Sequence, residues 1–260
     1  MRYLNIFLLS AQEAFEDRSK LAVWFLLGLI SPLVLILFWR GANNLGGWTI
    51  EQIISYYLLV VAMNVFLMSH HELRVAVIDI KEGGLTAYLL KPFSYFWIRF
   101  FNEMAFRVIQ GFFGFLILFI LMQLFPNIFA FTNSPTLIFL SVVTALLSLF
   151  LIFIFKTLIG LTAFWVTESR GVFEAFDVLL TLFAGYLMPL AFLPDQIQAF
   201  IYFTPFPYMI YFPVIGLEGK LTDMQLFQVI GVQILWIALF YFLYKKMWSS
   251  GIKKYTAVGQ

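Results

Sequence analysis

The sequence predicts an all-α integral membrane protein with six transmembrane helices, and three observations carry that prediction. Of its 260 residues, 62% are hydrophobic and only 12% are charged, with a mean hydropathy of +0.93. Soluble domains run at roughly 45–50% apolar and about 25% charged. Several uncharged runs approach the roughly 20 residues that a helix needs to cross the hydrocarbon core, a far stronger pattern than the alternation of a membrane barrel. The basic residues gather in alternate connections, as the positive-inside rule expects of a chain that threads a membrane repeatedly. With no repeat, low-complexity tract or linker, residues 1–260 read as one domain. The absence of cysteine removes disulfides and thiolate chemistry. A net charge of +2 gives no reason to expect nucleic acid.

In chain order, Leu4, Phe7, Leu8, Ala11, Ala14 and Phe15 recur at helical spacing within residues 2–20, with Arg2, Asn5, Gln12, Glu13 and Glu16 on other faces. This pattern predicts an amphipathic helix lying in the membrane interface. The acids in this segment and the lack of a small-residue cleavage site argue against a secretory signal. Span 1 covers residues 21–39, kinked at Pro32. Span 2 covers 52–69, with Asn64 as a packing amide. His70, His71 and Glu72 then read as a solvated helix end, because consecutive helical residues diverge too far to share one metal ion easily. Span 3 covers 108–124, and the connection PNIFAFTNSP after it carries no basic residue.

Span 4 covers 137–165. Lys156 lies about 28 Å along it, where a long side chain is expected to snorkel to the far interface; the alternative is a charge in a transport path. A short connection, Thr167 to Asp177, holds Glu168, Arg170 and Glu174, and span 5 follows at 178–192. The next stretch is apolar but interrupted by Pro205, Pro207 and Pro213. Proline removes a backbone donor, so two short interfacial pieces are expected there. Span 6 covers 227–244.

With these spans, 13 of the 16 basic residues fall on one side. The positive-inside rule therefore puts both termini in the cytoplasm, together with the stretch from Lys81 to Arg107. That stretch is too charged to cross and, at Leu85, Tyr88, Leu89 and Leu90, too apolar to stand bare in water. A cytosolic partner is expected to cover it. No P-loop pattern occurs, so ATP binding by this chain is not expected, and neither H-E-x-x-H nor G-x-S-x-G is present. The cores of the six expected spans contain no Asp, Glu or Arg, which argues against an ion-coupled transporter, and no filter motif suggests a channel. Enzymatic activity and a metal or other cofactor of its own are not expected.

Three stretches resemble a known family: IKEGGLTAYLLKPFSY at 80–95, LTAFWVTESRG at 161–171, and the proline-broken segment from Leu193 to Gly216. With the interfacial N-terminal helix, they are similar to the permease subunits of type-2 ABC transporters, especially a bacterial exporter-like subgroup. The resemblance implies a half-transporter in the bacterial cytoplasmic membrane. It would pair with a second permease, identical or different, and with cytosolic ATPase subunits that hold ATP and Mg. It places a coupling helix at Gly84 to Lys91, stopped by Pro92, with Gly83 and Gly84 giving the backbone freedom to turn. Leu85, Tyr88 and Leu89 would enter a cleft of the ATPase, and Lys91 would meet acidic residues at its rim. The alternative is that this face lies on the protein's own helices or on lipid. Glu168 and Arg170 are implied as a second cytoplasmic contact, and the segment with Pro205, Pro207 and Pro213 as an external lid. Glu103 and Arg107 read as a structural i, i+4 pair. The competing function is a membrane scaffold or sensor that binds a cytosolic partner without moving a substrate.

Overall fold

Four stretches of the described chain are long and apolar enough to cross a membrane: Ile50–Lys81, Tyr95–Gln123, Pro135–Phe164 and Asp223–Lys254. The structure, a computed structural model, describes residues 2–16, 30, 33–35, 37–39, 41, 47–67, 70–124, 134–168 and 170–255. Its helices are α1 (Arg2–Glu16), α2 (Ile50–Leu67), α3 (His71–Leu73, running on as a π-helical stretch Arg74–Lys81), α4 (Leu85–Leu89), α5 (Tyr95–Leu124), α6 (Pro135–Leu161), α7 (Arg170–Phe183), α8 (Asp195–Tyr202), α9 (Tyr211–Leu217) and α10 (Asp223–Gly251). Local signals fix two of the starts. Pro135 opens α6 at a position where its missing N–H costs nothing, and Thr222 with Gln225 forms a capping box at the head of α10.

The core is built on α2, whose Ile53, Tyr56, Tyr57, Leu59 and Val60 are fully buried. Helix α5 lies along α2, and α10 lies along α6. Helices α3 and α9 pack on α6 toward its opposite ends, with Val75 against Gly160 and Gly216 against Ser141. On the outside, Phe112 and Phe119 of α5, Phe139 and Leu146 of α6, and Leu235 and Phe242 of α10 stay exposed. Such a surface suits hydrocarbon and not water.

Several expectations need correction. The third spanning helix starts at Tyr95 and not near 108. Its charges are tolerated because they are paired: Arg99 with Asp79, and Arg107 with Glu103 at 2.9 Å. Helix resumes at His71 and reaches Lys81, within a stretch of spanning character from Ile50, and His71 and Glu72 are buried in it at 3% and 1% exposure, not a solvated end. His70 alone fits that expectation, at 63% side-chain exposure.

The fifth expected span, 178–192, is not one helix. Helix α7 begins at Arg170, ends at Phe183 and gives way to a bend at 184–188. Gly185 takes a left-handed φ of 82°, and a Cβ there would meet the Tyr56 hydroxyl at 2.7 Å. Irregular backbone survives at membrane depth only where protein satisfies it. Here the Tyr56 hydroxyl donates to the Gly185 carbonyl at 2.5 Å and the Tyr57 hydroxyl to that of Leu187 at 2.7 Å.

The proline-broken segment forms α8, a 3₁₀ turn at Phe206–Tyr208 and α9. Pro213 sits in the first turn of α9, where its ring displaces no helical hydrogen bond. The Tyr208 carbonyl accepts from Ser148 Oγ at 2.8 Å and from Gln233 Nε2 at 2.9 Å, which ties this segment to α6 and α10. Of span 1, residues 30, 33–35 and 37–39 are helical, and the Trp39 indole donates to the Tyr57 hydroxyl at 2.6 Å. The rest of that span, the expected kink at Pro32 and the connection at 125–133 lie outside the described residues. Helix α1 rests on α5, with Tyr3 stacked on Phe101 at 5.3 Å and Ser10 bonded to Asn102 at 3.1 Å.

Candidate functional site

Between α3 and α5 the chain makes a tight hairpin. Gly83 adopts a φ of 83°, open to glycine at no cost, and a Cβ on Gly84 would meet the Ile78 carbonyl at 2.7 Å. The five residues of α4 follow. The root of the hairpin is pinned from four sides. Asp79 accepts from Arg99 Nε at 2.8 Å, from the second guanidinium nitrogen and from the Tyr95 hydroxyl at 2.5 Å. The Arg99 guanidinium lies 4.6 Å from the centre of the Tyr88 ring. The Tyr255 hydroxyl donates to the Gly83 carbonyl at 2.8 Å and stands 3.0 Å from the Thr86 hydroxyl. Lys81 Nζ donates to the Thr167 carbonyl at 2.6 Å.

This seating decides which side chains face outward. Leu85 is fully buried and Tyr88 is half-buried over Arg99, whereas Leu89 is 45% and Leu90 82% exposed, beside exposed Lys91 and Pro92. The expected outward face of Leu85, Tyr88 and Leu89 is therefore corrected to Leu89 and Leu90. A helix this short has no second turn from which spacing could be read. Glu168 and Arg170 are exposed at the head of α7, with Arg170 Nε 3.0 Å from Glu174 Oε1, and the Lys81 bond to Thr167 brings them beside the hairpin. Pro205, Pro207 and Pro213 lie elsewhere, buried in the α8–α9 segment, whose exposed large apolar groups are Ile197, Phe200 and Phe203.

The structure also assembles charges that no sequence window links. Lys156 is 1% exposed, with its ammonium 2.8 Å from Glu72 and 2.6 Å from Asp177. The snorkelling expectation is corrected, since two carboxylates come to the lysine and spare it the walk to water. The expected span cores, 52–69 and 108–124, hold no Asp, Glu or Arg, but the spanning stretches are longer than expected and take in Glu72, Asp79, Arg99, Glu103 and Arg107. His70, Glu72 and Asp177 also offer ligand atoms within 4.8 Å of one another. Lys156 already supplies the cation between the two carboxylates, so the group is an ion-pair cluster.

Residues 25–259 match the family described as ABC-2 family transporter protein. The chain belongs to that family. No curated protein matches it. The match spans nearly the whole sequence and supports the resemblance to type-2 ABC permeases. This ABC-2 protein is thus a multi-pass membrane component of a transport system, and its apolar exterior is the surface of such a component.

At the other end of the permease, Glu218 and Lys220 form a second ionic feature between α9 and α10. Their charged atoms are 3.0 Å apart, and Lys220 lies over the Trp48 indole. Burial pushes the Glu218 carboxyl up to about 7, with Lys220 and the Ser55 hydroxyl pulling it back. A raised carboxyl value means that the folded state holds the proton more tightly than the unfolded chain. Stability from this group is therefore greatest at low pH and declines as pH rises from the ordinary 4.5 toward about 7. Unfolding in detergent followed from acid to neutral pH should show that decline, and Glu218→Gln should flatten it. A wild-type profile already flat over this window would refute the assignment.

Proposed function

We propose that this chain is the membrane half of an ATP-driven exporter in the bacterial cytoplasmic membrane, with both termini in the cytosol. It lines the translocation path with a second permease, identical or different. It hydrolyses no ATP and holds no cofactor of its own; ATP and Mg sit on a cytosolic ATPase. The observation that carries this reading is the hairpin, which has an immobilised root and a bare apolar tip. Leu90 at 82% exposure cannot be explained by packing within the chain, and exposed apolar clusters mark docking surfaces. A tip held by Asp79, Arg99 and Tyr255 acts as a lever: force applied at Leu89 and Leu90 passes into α3 and α5. Glu168 and Arg170, beside it, form the second contact. At the outer end, the short helices from 195 to 217 cover the exit.

The test is co-purification of the ATPase with the double variant Leu89→Asp, Leu90→Asp. Burying two carboxylates in an apolar cleft removes a hot spot, so the ATPase should bind about 30-fold more weakly. The permease should stay folded, because both side chains are exposed. Full retention of the ATPase, with unchanged transport-linked hydrolysis, would sink the proposal.

A further inference from the structure

A recess of about 320 Å³ opens between the α4 hairpin, the start of α5 and the last turns of α10. Its walls are aromatic, with Tyr88, Tyr95, Tyr244 and Trp248, and its cations are Lys91 and Lys245. Lys91 Nζ stands 5.2 Å from the centre of the Tyr88 ring, and Lys245 Nζ stands 4.9 Å from that of Tyr241. Among the described residues, the ion pairs use neither lysine. The nearby carboxylate, Asp79, is taken by Arg99 and Tyr95. Among the described residues, the recess is therefore a net-positive pocket with π faces and no paired counter-ion.

Its depth in the membrane follows from α10. Lys245 lies 22 residues beyond Asp223, the head of that helix, which is about 33 Å along the axis. That distance is close to the roughly 30 Å hydrocarbon thickness, so the ammonium group lies at headgroup level, where Tyr and Trp belts collect. Below it, Ile234, Ala238 and Phe242 precede Lys245 by 11, 7 and 3 residues, on its side of the helix, and all are exposed. They form an apolar track that leads from the lysines into the hydrocarbon.

We propose that this recess binds the phosphate of an anionic phospholipid, with the acyl chains laid along that track. Two ammonium groups attract a phosphate diester and repel a headgroup amine, so the lipid selected is one whose headgroup lacks an amine. A basic pocket between helices at the membrane surface is the kind of site that holds such headgroups. Because the recess borders α4, its occupant bridges the hairpin to α10.

Native mass spectrometry of the permease alone, titrated in detergent with phosphatidylglycerol or phosphatidylcholine, tests this without any ATPase. Phosphatidylglycerol should be retained preferentially. The double variant Lys91→Gln, Lys245→Gln should weaken that retention about 30-fold, at about fivefold per lysine. Lys253→Gln with Lys254→Gln removes the same charge outside the recess and should leave retention unchanged. Equal retention of the two lipids, equal loss in the control pair, or displacement by millimolar inorganic phosphate would overturn the proposal. The last result would mark a free-anion site instead.

Discussion

Lys156→Met is expected to destabilise the permease by about 3–5 kcal/mol, the usual cost of stripping one partner from a buried ion pair. The replacement fits the space of the lysine stem, so the loss is electrostatic and not a cavity effect. Glu72 is 1% exposed, and without the ammonium its carboxylate is left beside the His70 imidazole at 3.8 Å, with no ammonium to balance it. Asp177 suffers less, because at 38% side-chain exposure it can hydrate; Asp177→Asn should cost under about 1 kcal/mol. The decisive comparison is the double variant Lys156→Met, Glu72→Gln, which removes both charges and should recover most of the loss. Equilibrium unfolding in mixed micelles measures all three. A Lys156→Met change within about 0.5 kcal/mol of wild type, the range of ordinary surface substitutions, would mean that Glu72 is already neutral in the folded protein.

The same cluster explains where reading the sequence stops. Runs of apolar residues reveal helices, and Pro205, Pro207 and Pro213 reveal a broken segment, because these signals are local. Glu72 and Lys156 are 84 residues apart and Asp79 and Arg99 are 20 apart, so Glu72, Asp79 and Arg99, each read alone, mark places where a span must end, and Lys156 reads as a lysine that snorkels. Paired in the fold, they let Ile50–Lys81 and Tyr95–Gln123 run through. The expected spans were cut short at both ends of the hairpin for this one reason. Opposite charges at the inner ends of two successive spans were the available signal, since ionisable residues at membrane depth face partners. The break at Gly185 had a weaker one: a lone glycine in an apolar run, whose left-handed φ depends on Tyr56 and Tyr57 more than a hundred residues away. The hairpin site itself was legible as a place, Gly83 to Pro92, but not as a face, because the Tyr88 contact with Arg99 turns Leu85 inward.

Asp79→Ala is expected to be the most damaging change at the hairpin. Arg99 is 2% exposed and its guanidinium holds its charge at any accessible pH, so removing the carboxylate leaves a buried cation, again at about 3–5 kcal/mol. Arg99→Lys should not substitute well. Asp79 receives two guanidinium nitrogens in a fork that a point ammonium cannot reproduce, and the Tyr88 ring rests on the flat guanidinium face. The double variant Asp79→Leu, Arg99→Met separates folding from coupling. With both charges replaced by apolar groups of similar size, the cost of a bare buried cation is removed and most of the loss should be recovered, less what the Tyr95 hydroxyl loses with its acceptor. Tyr88 would still lose its cation–π seat, worth about 1–2 kcal/mol when desolvated, and α4 would keep Tyr255, Leu85 and the Tyr88–Tyr95 ring contact but no charged anchor. Stability recovered without ATPase-linked transport is thus the expected result, read from unfolding and from substrate-stimulated hydrolysis on the same preparation. Recovery of both would show that the lever needs no rigid root. Recovery of neither would place the role of Asp79 in the fold alone.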